Sequence, residues 1–171
     1  MPHEPVLDPS GLARAVERLA AIIPGYSGYK QRERLRDEDR AVRDAVARQL
    51  GLTLGRIERA LSVSIRAMDP VNVEEADRVL RGLHRQRDRI HFAPLGYTSL
   101  FARKKVQARE LETLLALDTQ LWAALDGIDR AAAEWDQQAR AGDSAWPGRR
   151  LLDGLQELED VLDERESFLR S

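Results

Sequence analysis

The chain has 171 residues, of which 43% are hydrophobic and 33% are charged, and its net charge is −2. This balance is typical of long, solvated helices and excludes a polyelectrolyte that binds its partners through overall charge. Because the sequence contains no cysteine, disulfides, thiolate metal sites and cysteine nucleophiles are also excluded.

The sequence shows neither a membrane-spanning segment nor a secretory signal. The longest purely apolar run, Leu19–Ile23, is far shorter than the about 20 residues that a membrane-spanning helix needs. The opening Met-Pro-His-Glu-Pro lacks the basic and apolar regions of a secretory signal. We therefore expect a cytoplasmic protein. Its 24 arginines against 3 lysines are typical of a GC-rich bacterial genome.

Charge is distributed unevenly along the chain. Residues 1–75 carry 12 basic and 12 acidic side chains, residues 76–109 carry 9 and 2, and residues 110–171 carry 6 and 15. One interpretation is internal complementarity, in which the basic middle lies against the acidic C-terminal third. The other is that the basic segment forms an anion-binding face.

Apolar residues recur every three or four positions through most of the chain, which predicts helices. Residues 1–7 contain two prolines and are expected to form a flexible tail, followed by a single helical domain over residues 8–171. Typical starting residues precede the first helix (Asp8-Pro9) and the third (Asn72 with Glu75). We expect five helices, over residues 8–23, 30–68, 72–91, 106–140 and 149–169.

The second helix carries the longest apolar stripe, and a stripe of this length needs a partner helix along all of it. We expect the second and fourth helices to form the spine of the molecule, and the stripe to be the surface for self-association. We expect Leu54, Ile57 and Leu61 to be buried in the monomer; exposure of these residues would make the spine a dimer seam instead. The stripe comprises Leu35, Val42, Val46, Leu50, Leu54, Ile57, Leu61, Ile65 and Met68.

No segment alternates with the period of two that marks a half-buried strand. The predicted fold class is therefore all-α, as an elongated antiparallel helical bundle built from long helical hairpins.

Two glycine-tyrosine loops precede charged segments. The first is Pro24–Lys30, with Tyr26 and Tyr29, and the second contains Tyr97 and Phe101. Their similarity suggests two helix joints built in the same way, in which an aromatic ring closes the end of the bundle while its hydroxyl stays in water. The functional alternative is a partner-binding surface, for which the candidate residues are Tyr26, Tyr29, Tyr97 and Phe101, together with Arg32, Arg34 and Arg36.

The basic middle segment is the candidate for binding nucleic acid or an anionic membrane surface, since arginine-rich helices bind phosphates well. No recognised nucleic-acid-binding motif accompanies it. The third helix is also only weakly amphipathic, which disfavours membrane insertion. The candidate residues are Arg78, Arg81, Arg85, Arg89, Lys104 and Lys105.

A metal site is the third alternative. His84, Asp88 and His91 are four and three residues apart and share one side of the third helix, and two imidazoles with a carboxylate are a common ligand set. The surrounding arginines would repel a cation, and the paired Glu-x-x-His motifs of di-iron bundles do not occur. No phosphate loop, dinucleotide fingerprint or nucleophile elbow occurs either. We therefore expect no enzyme activity and no cofactor.

The first motif, Pro24-Gly25-Tyr26-Ser27-Gly28-Tyr29-Lys30, resembles the opening of an uncharacterised bacterial family of helical proteins without known activity. The resemblance spans about residues 20–125 and includes Asp88-Arg89-Ile90 and Gly96-Tyr97. The second loop departs from the family pattern at Leu95, Ser99 and Leu100, and Leu115 replaces a tyrosine. The resemblance implies gene neighbours among membrane-scaffold proteins of the SPFH/band-7 type, and hence an interaction role.

Taken together, these patterns favour a non-enzymatic helical interaction or scaffold protein that binds a protein partner and associates with itself. The anion-binding module and the metal-dependent bundle enzyme are the alternatives.

Overall fold

The computed structural model describes residues 9–31, 34–92, 99–102, 106–143 and 145–171. Within these ranges the chain forms helices and no strand, so the predicted all-α bundle with about five long helices is confirmed. The predicted tail, residues 1–7, lies outside the described ranges. The helices are α1 (Pro9–Ile22), α2 (Leu35–Ser64), α3 (Pro70–His91), the single turn α4 (Ser99–Ala102), α5 (Ala108–Arg140) and α6 (Gly148–Arg170).

Four of the helices form the body of the bundle. α2 packs against α3 and α5, and α6 packs against the same two helices, so α2 and α6 lie diagonally across the centre. α1 packs on the outside of α5, and α4 packs on α6. At 1.5 Å per residue, the 30 residues of α2 and the 33 of α5 span roughly 45 and 50 Å.

The bundle consists of two helical hairpins, α2 with α3 and α5 with α6, which point in the same direction. Within each hairpin the helices are antiparallel, as predicted. Between the hairpins, α2 runs parallel to α5, because Thr53 bonds Asp129 at 2.6 Å while Arg59, further along α2, lies 3.7 Å from Asp136. α3 and α6 are also parallel, because Arg85 pairs with Glu159 while Arg89, further along α3, pairs with Asp163 and Glu166.

The apolar stripe of α2 is buried inside the chain. Leu54 and Ile57 are 2% and 0% exposed, and Leu61 packs against the core, as expected for a spine that the chain covers itself. The expectation that this stripe mediates self-association is therefore wrong, because its side chains already fill the space between α2, α3 and α5. Ile65 lies beyond the end of α2 and is exposed.

The ends of α2 and α3 differ from the predicted ones. α2 begins at Leu35 rather than near residue 30. Gly28 and Tyr29 have φ of +72° and +61°, which no right-handed helix accommodates, and Arg34, with φ −114° and ψ 11°, still lies outside the α-helical region. α3 begins at Pro70 rather than after a cap at Asn72. The Asp69 side chain accepts the Val71 amide at 2.9 Å, and proline occupies the first turn.

Two tryptophans close the end of the bundle where α5 turns into α6. Trp146 meets the buried ring of Trp135 edge to face, with ring centres 4.9 Å apart. Its indole nitrogen donates to Glu75 at 2.9 Å. The loop between α5 and α6 is thereby fastened to α3, and the opposite end of the bundle holds the glycine-tyrosine loop.

Candidate functional site

The first glycine-tyrosine loop is held by one carboxylate. Glu38, in the first turn of α2 and 3% exposed, accepts the backbone amides of Ser27 and Tyr29 at 3.0 and 2.9 Å. It also accepts the Ser27 hydroxyl at 2.5 Å. Because Tyr29 carries a positive φ, which non-glycine residues adopt only at a cost, these bonds hold a backbone that would otherwise relax.

Both tyrosine side chains of this loop point into the bundle. Tyr26 is 5% exposed and Tyr29 is 0% exposed, and their rings meet edge to face at 5.6 Å. Their hydroxyls donate to the same oxygen, Oδ2 of Asp118 on α5, at 3.4 Å from Tyr26 and 2.6 Å from Tyr29. The rings do close the end of the bundle, but the expectation that their hydroxyls stay in water is wrong, since a buried carboxylate takes the place of solvent.

A buried arginine completes the cluster. Arg165 of α6 donates from Nε to Asp118 at 2.7 Å and from Nη2 to Asp39 of α2 at 2.8 Å. Its side chain is 4% exposed, so this diagonal contact between α2 and α6 crosses the interior of the bundle. Arg43 binds the other oxygen of Asp39 at 3.0 Å. We call Tyr26, Tyr29, Asp39, Asp118 and Arg165 the buried network.

Burial shifts the pKa values of the groups in the buried network. Desolvation raises the pKa of Tyr29 well above its ordinary value, and nearby Asp118 raises it further. Desolvation also raises the pKa of Asp118, although the Arg165 guanidinium opposes the shift. Burial works against the charge of Arg165, but Asp118 and Asp39 outweigh it, so the pKa of Arg165 lies above its ordinary value. The raised pKa values mean that both tyrosine hydroxyls keep their protons at neutral pH and can donate hydrogen bonds.

The polar groups of the buried network bond one another. Both oxygens of Asp118 accept hydrogen bonds from the chain, and Arg165 divides its donors between two carboxylates. A buried charge is tolerated when it is paired and hydrogen-bonded. The network ties the loop, α2, α5 and α6 together at one end of the bundle.

The predicted partner-binding residues fall into separate groups. Tyr26 and Tyr29 are interior residues, and Phe101 is half-buried and stacked on Tyr29 with ring centres 6.5 Å apart. These aromatic side chains therefore do not form the exposed surface that the sequence suggested. Arg34 and Arg36 are exposed. Arg32 and Tyr97 lie outside the described residues, and so does the comparison of the two glycine-tyrosine loops.

The basic residues of α3 lie mostly against carboxylates. Arg85 pairs with Glu159 of α6, and Arg89 pairs with Asp163 at 2.7 Å and Glu166 at 2.8 Å. Hydrogen bonding to Glu166 raises the pKa of Arg89. The internal complementarity suggested by the charge distribution is thus present between α3 and α6.

The remaining basic candidates are less engaged with α6. Arg81 pairs with Asp77 on its own helix, whereas Arg78 is exposed and forms no ion pair with the part of the chain that the structure describes. Lys104 and Lys105 lie outside the described residues.

The three candidate metal ligands are engaged separately. His84 lies 3.4 Å from Glu58 of α2, Asp88 binds Arg87 at 2.9 Å, and His91 meets the exposed ring of Phe92 edge to face. Among the residues that the structure describes, no group of three histidine or acidic side chains is arranged to hold a metal ion.

Sequence reasoning missed Glu38 and Arg165 and did not give a role to Asp39 and Asp118. Asp39 occupies an inward position of the α2 stripe, and Asp118 occupies one of α5. A charged residue at an inward position of an otherwise apolar stripe is the signal for a buried pair, since charges are seldom buried without partners. Two such carboxylates and one such arginine at residue 165 would have indicated this network.

Among the described residues, no helix is both long and apolar enough to cross a membrane. Comparison of the chain with protein-family models, with curated proteins and with solved structures found no match.

Proposed function

We propose that this chain is a cytoplasmic, non-enzymatic interaction protein that binds an acidic surface of a protein partner through arginines at the start of α2, and that it also associates with itself. The observation that carries the proposal is the contrast between the two sets of arginines. Those of α3 that face α6 are neutralised, whereas Arg34 and Arg36 are exposed and form no ion pair with any residue that the structure describes.

The buried network supports this proposal because it fixes the backbone from which these arginines project. Glu38 and Asp39 are on the same helical turns as Arg36 and hold the loop and α6 from the inner side of α2. An arginine on a fixed backbone loses less conformational freedom when a partner binds, which favours affinity. Lys30, also exposed, adds to the positive charge of this surface, and the exposed Asp37 offsets part of it.

Anion binding through α3 has less support, because Arg85 and Arg89 would have to leave carboxylates of α6 before they could bind phosphate. An arginine that already has a carboxylate partner releases fewer counterions from nucleic acid, and the salt dependence of binding would be small.

Affinity capture from the native cells tests the proposal. Tagged wild type and the R34E/R36E variant are compared, each with and without nuclease and detergent. We expect a protein that is captured stoichiometrically by the wild type, survives both treatments and is lost with R34E/R36E. The matched control is R78E/R81E, which makes the same change of net charge on α3 and should retain the protein. Capture that nuclease or detergent abolishes, or that R34E/R36E leaves unchanged, would overturn the proposal.

A further inference from the structure

The outer face of α6 is acidic between residues 153 and 164. Asp153, Glu157, Asp160 and Glu164 are spaced four, three and four residues apart, and all four are exposed. Glu157 and Glu164 form no ion pair with the described residues, and the nearest cation of Asp153 is the exposed Arg149 at 3.9 Å. These residues, which we call the acidic ridge, extend over roughly 16 Å at 1.5 Å per residue.

The outer side of α2 carries two exposed arginines without acidic partners. Arg40 and Arg48 form no ion pair within the described parts of the chain, and Leu52, one turn further on, is 57% exposed. Asp44 lies between the arginines and partly offsets their charge. The eight residues from Arg40 to Arg48 correspond to about 12 Å, close to the about 10.5 Å that separate Glu157 from Glu164. We call Arg40, Arg48 and Leu52 the basic side of α2.

The two surfaces lie on opposite sides of the bundle at the same height, that is, at the same position along the bundle axis. α2 and α6 are diagonal, so their outer faces point away from each other. The ion pair between Arg165 and Asp39 shows that these residues share one level.

A second level is set through α5. Thr53 bonds Asp129, and a Cβ placed on Gly154 would lie 2.7 Å from the neighbouring Ile128, so residues 53 and 154 also share a level. Between these two levels, Arg40 has the height of Glu164, and Arg48 has the height of Glu157.

From this placement we infer that the basic side of α2 binds the acidic ridge of a second copy of this chain. A copy displaced sideways without rotation presents its acidic ridge to the basic side of the first, with Arg40 facing Glu164 and Arg48 facing Glu157. Because the contact joins two different surfaces, a pair of copies leaves one basic side and one acidic ridge free. Further copies can therefore add to both ends in a row. The inference rests on the proposed self-association and names the surfaces that would carry it.

The contact is weak and depends on salt. It consists mainly of exposed charges, whose attraction is screened over about 10 Å at 0.1 M salt and about 3 Å at 1 M. In the same arrangement Asp44 faces Asp160, a like-charge contact that opposes association. Asp44→Arg should therefore tighten self-association by about two- to fivefold, the range expected for one exposed pair.

Sedimentation velocity on the purified full chain tests the inference. At low salt the average mass of the wild type should rise above 19.3 kDa with increasing concentration, and it should return to that of the monomer at high salt. R40E/R48E and E157K/E164K should each remain monomeric. An equimolar mixture of the two should associate again, because each reversed surface now matches the other variant.

The control R66E/R78E changes net charge as R40E/R48E does, but on other surfaces, and it should associate like the wild type. Circular dichroism checks that all variants are folded, which is expected because every substituted side chain is exposed. A monomeric wild type at low salt, or a mixture that stays monomeric, would overturn the inference. Neither result affects the affinity capture that depends on Arg34 and Arg36. Failure of the self-association model is therefore distinguishable from failure of partner binding.

Discussion

Replacing Arg165 by methionine keeps most of the side-chain volume but removes the buried cation. Asp118 and Asp39, whose side chains are 0% and 7% exposed, would then lose the guanidinium that both of them bind. Removing one partner of a buried ion pair typically costs about 3–5 kcal/mol, because an uncompensated charge stays inside. Total stabilities of domains are about 5–15 kcal/mol, so this single change should remove a large part of the free energy of unfolding.

Urea unfolding followed by circular dichroism measures this loss. In a chain of this length, about 3–5 kcal/mol corresponds to a fall in Tm of roughly 6–20 °C. The matched control is Arg130→Met, since Arg130 forms an exposed ion pair with Asp126 on the same helix and should contribute within about 0.5 kcal/mol.

A second variant separates the charge effect from packing. In the triple variant D39N/D118N/R165M neither carboxylate remains, so a large part of the lost stability should return, as happens when buried ion pairs are replaced as a unit. A loss below about 1 kcal/mol for R165M would refute the reasoning, because the guanidinium would then not compensate the buried carboxylates.

Three further predictions concern the bundle interior. Burial raises the pKa of Asp118, so the folded protein binds a proton there at a higher pH than the unfolded chain does. The free energy of unfolding of the wild type, relative to that of D118N, should therefore increase as the pH falls through the raised pKa, and level off below about pH 3.9. A difference between the two proteins in urea unfolding that does not change with pH would contradict this. Tyr29→Phe removes the 2.6 Å bond to Asp118 and should lower the unfolding free energy by about 1–3 kcal/mol, whereas an unchanged urea midpoint would show that the hydroxyl is not needed. Gly82→Ala places a Cβ 2.5 Å from the Leu155 side chain and should destabilise the protein by about 1–3 kcal/mol. The control Gly127→Ala meets no atom within 4 Å and should stabilise α5 by up to about 1 kcal/mol. Equal effects of the two variants in thermal melts would refute the close approach of α3 and α6.

Helical periodicity was sufficient to predict the fold class and most of the helices. It worked best where apolar residues recur without interruption, as from Val42 to Ile57 in α2, because burial on one face then has a single solution. It failed at the start of α2, where the helix begins only after a loop with two positive φ values. That conformation depends on Glu38, which lies several residues further along the chain.

The candidate site was harder to predict than the fold. The tyrosine motif and the closing of the bundle end by its rings were predicted, but the burial of its hydroxyls was not, because the residues that bond one another in the network are 47 to 136 positions apart in the chain. The direction of the second hairpin decides that Asp118 meets Asp39 and Arg165, and periodicity within one helix contains no information about that direction. The charge distribution, by contrast, correctly suggested that α3 and the C-terminal third would lie together.

The position of Arg165 on α6 has a consequence for synthesis on the ribosome. The two carboxylates that it binds are made 126 and 47 residues earlier, so both leave the ribosome well before their counterion does. Until α6 emerges, α1, α2, α3 and α5 cannot close around Asp39 and Asp118 without burying uncompensated charge. The nascent chain is thereby kept from completing the core of this bundle until α6 is available to supply the counterion.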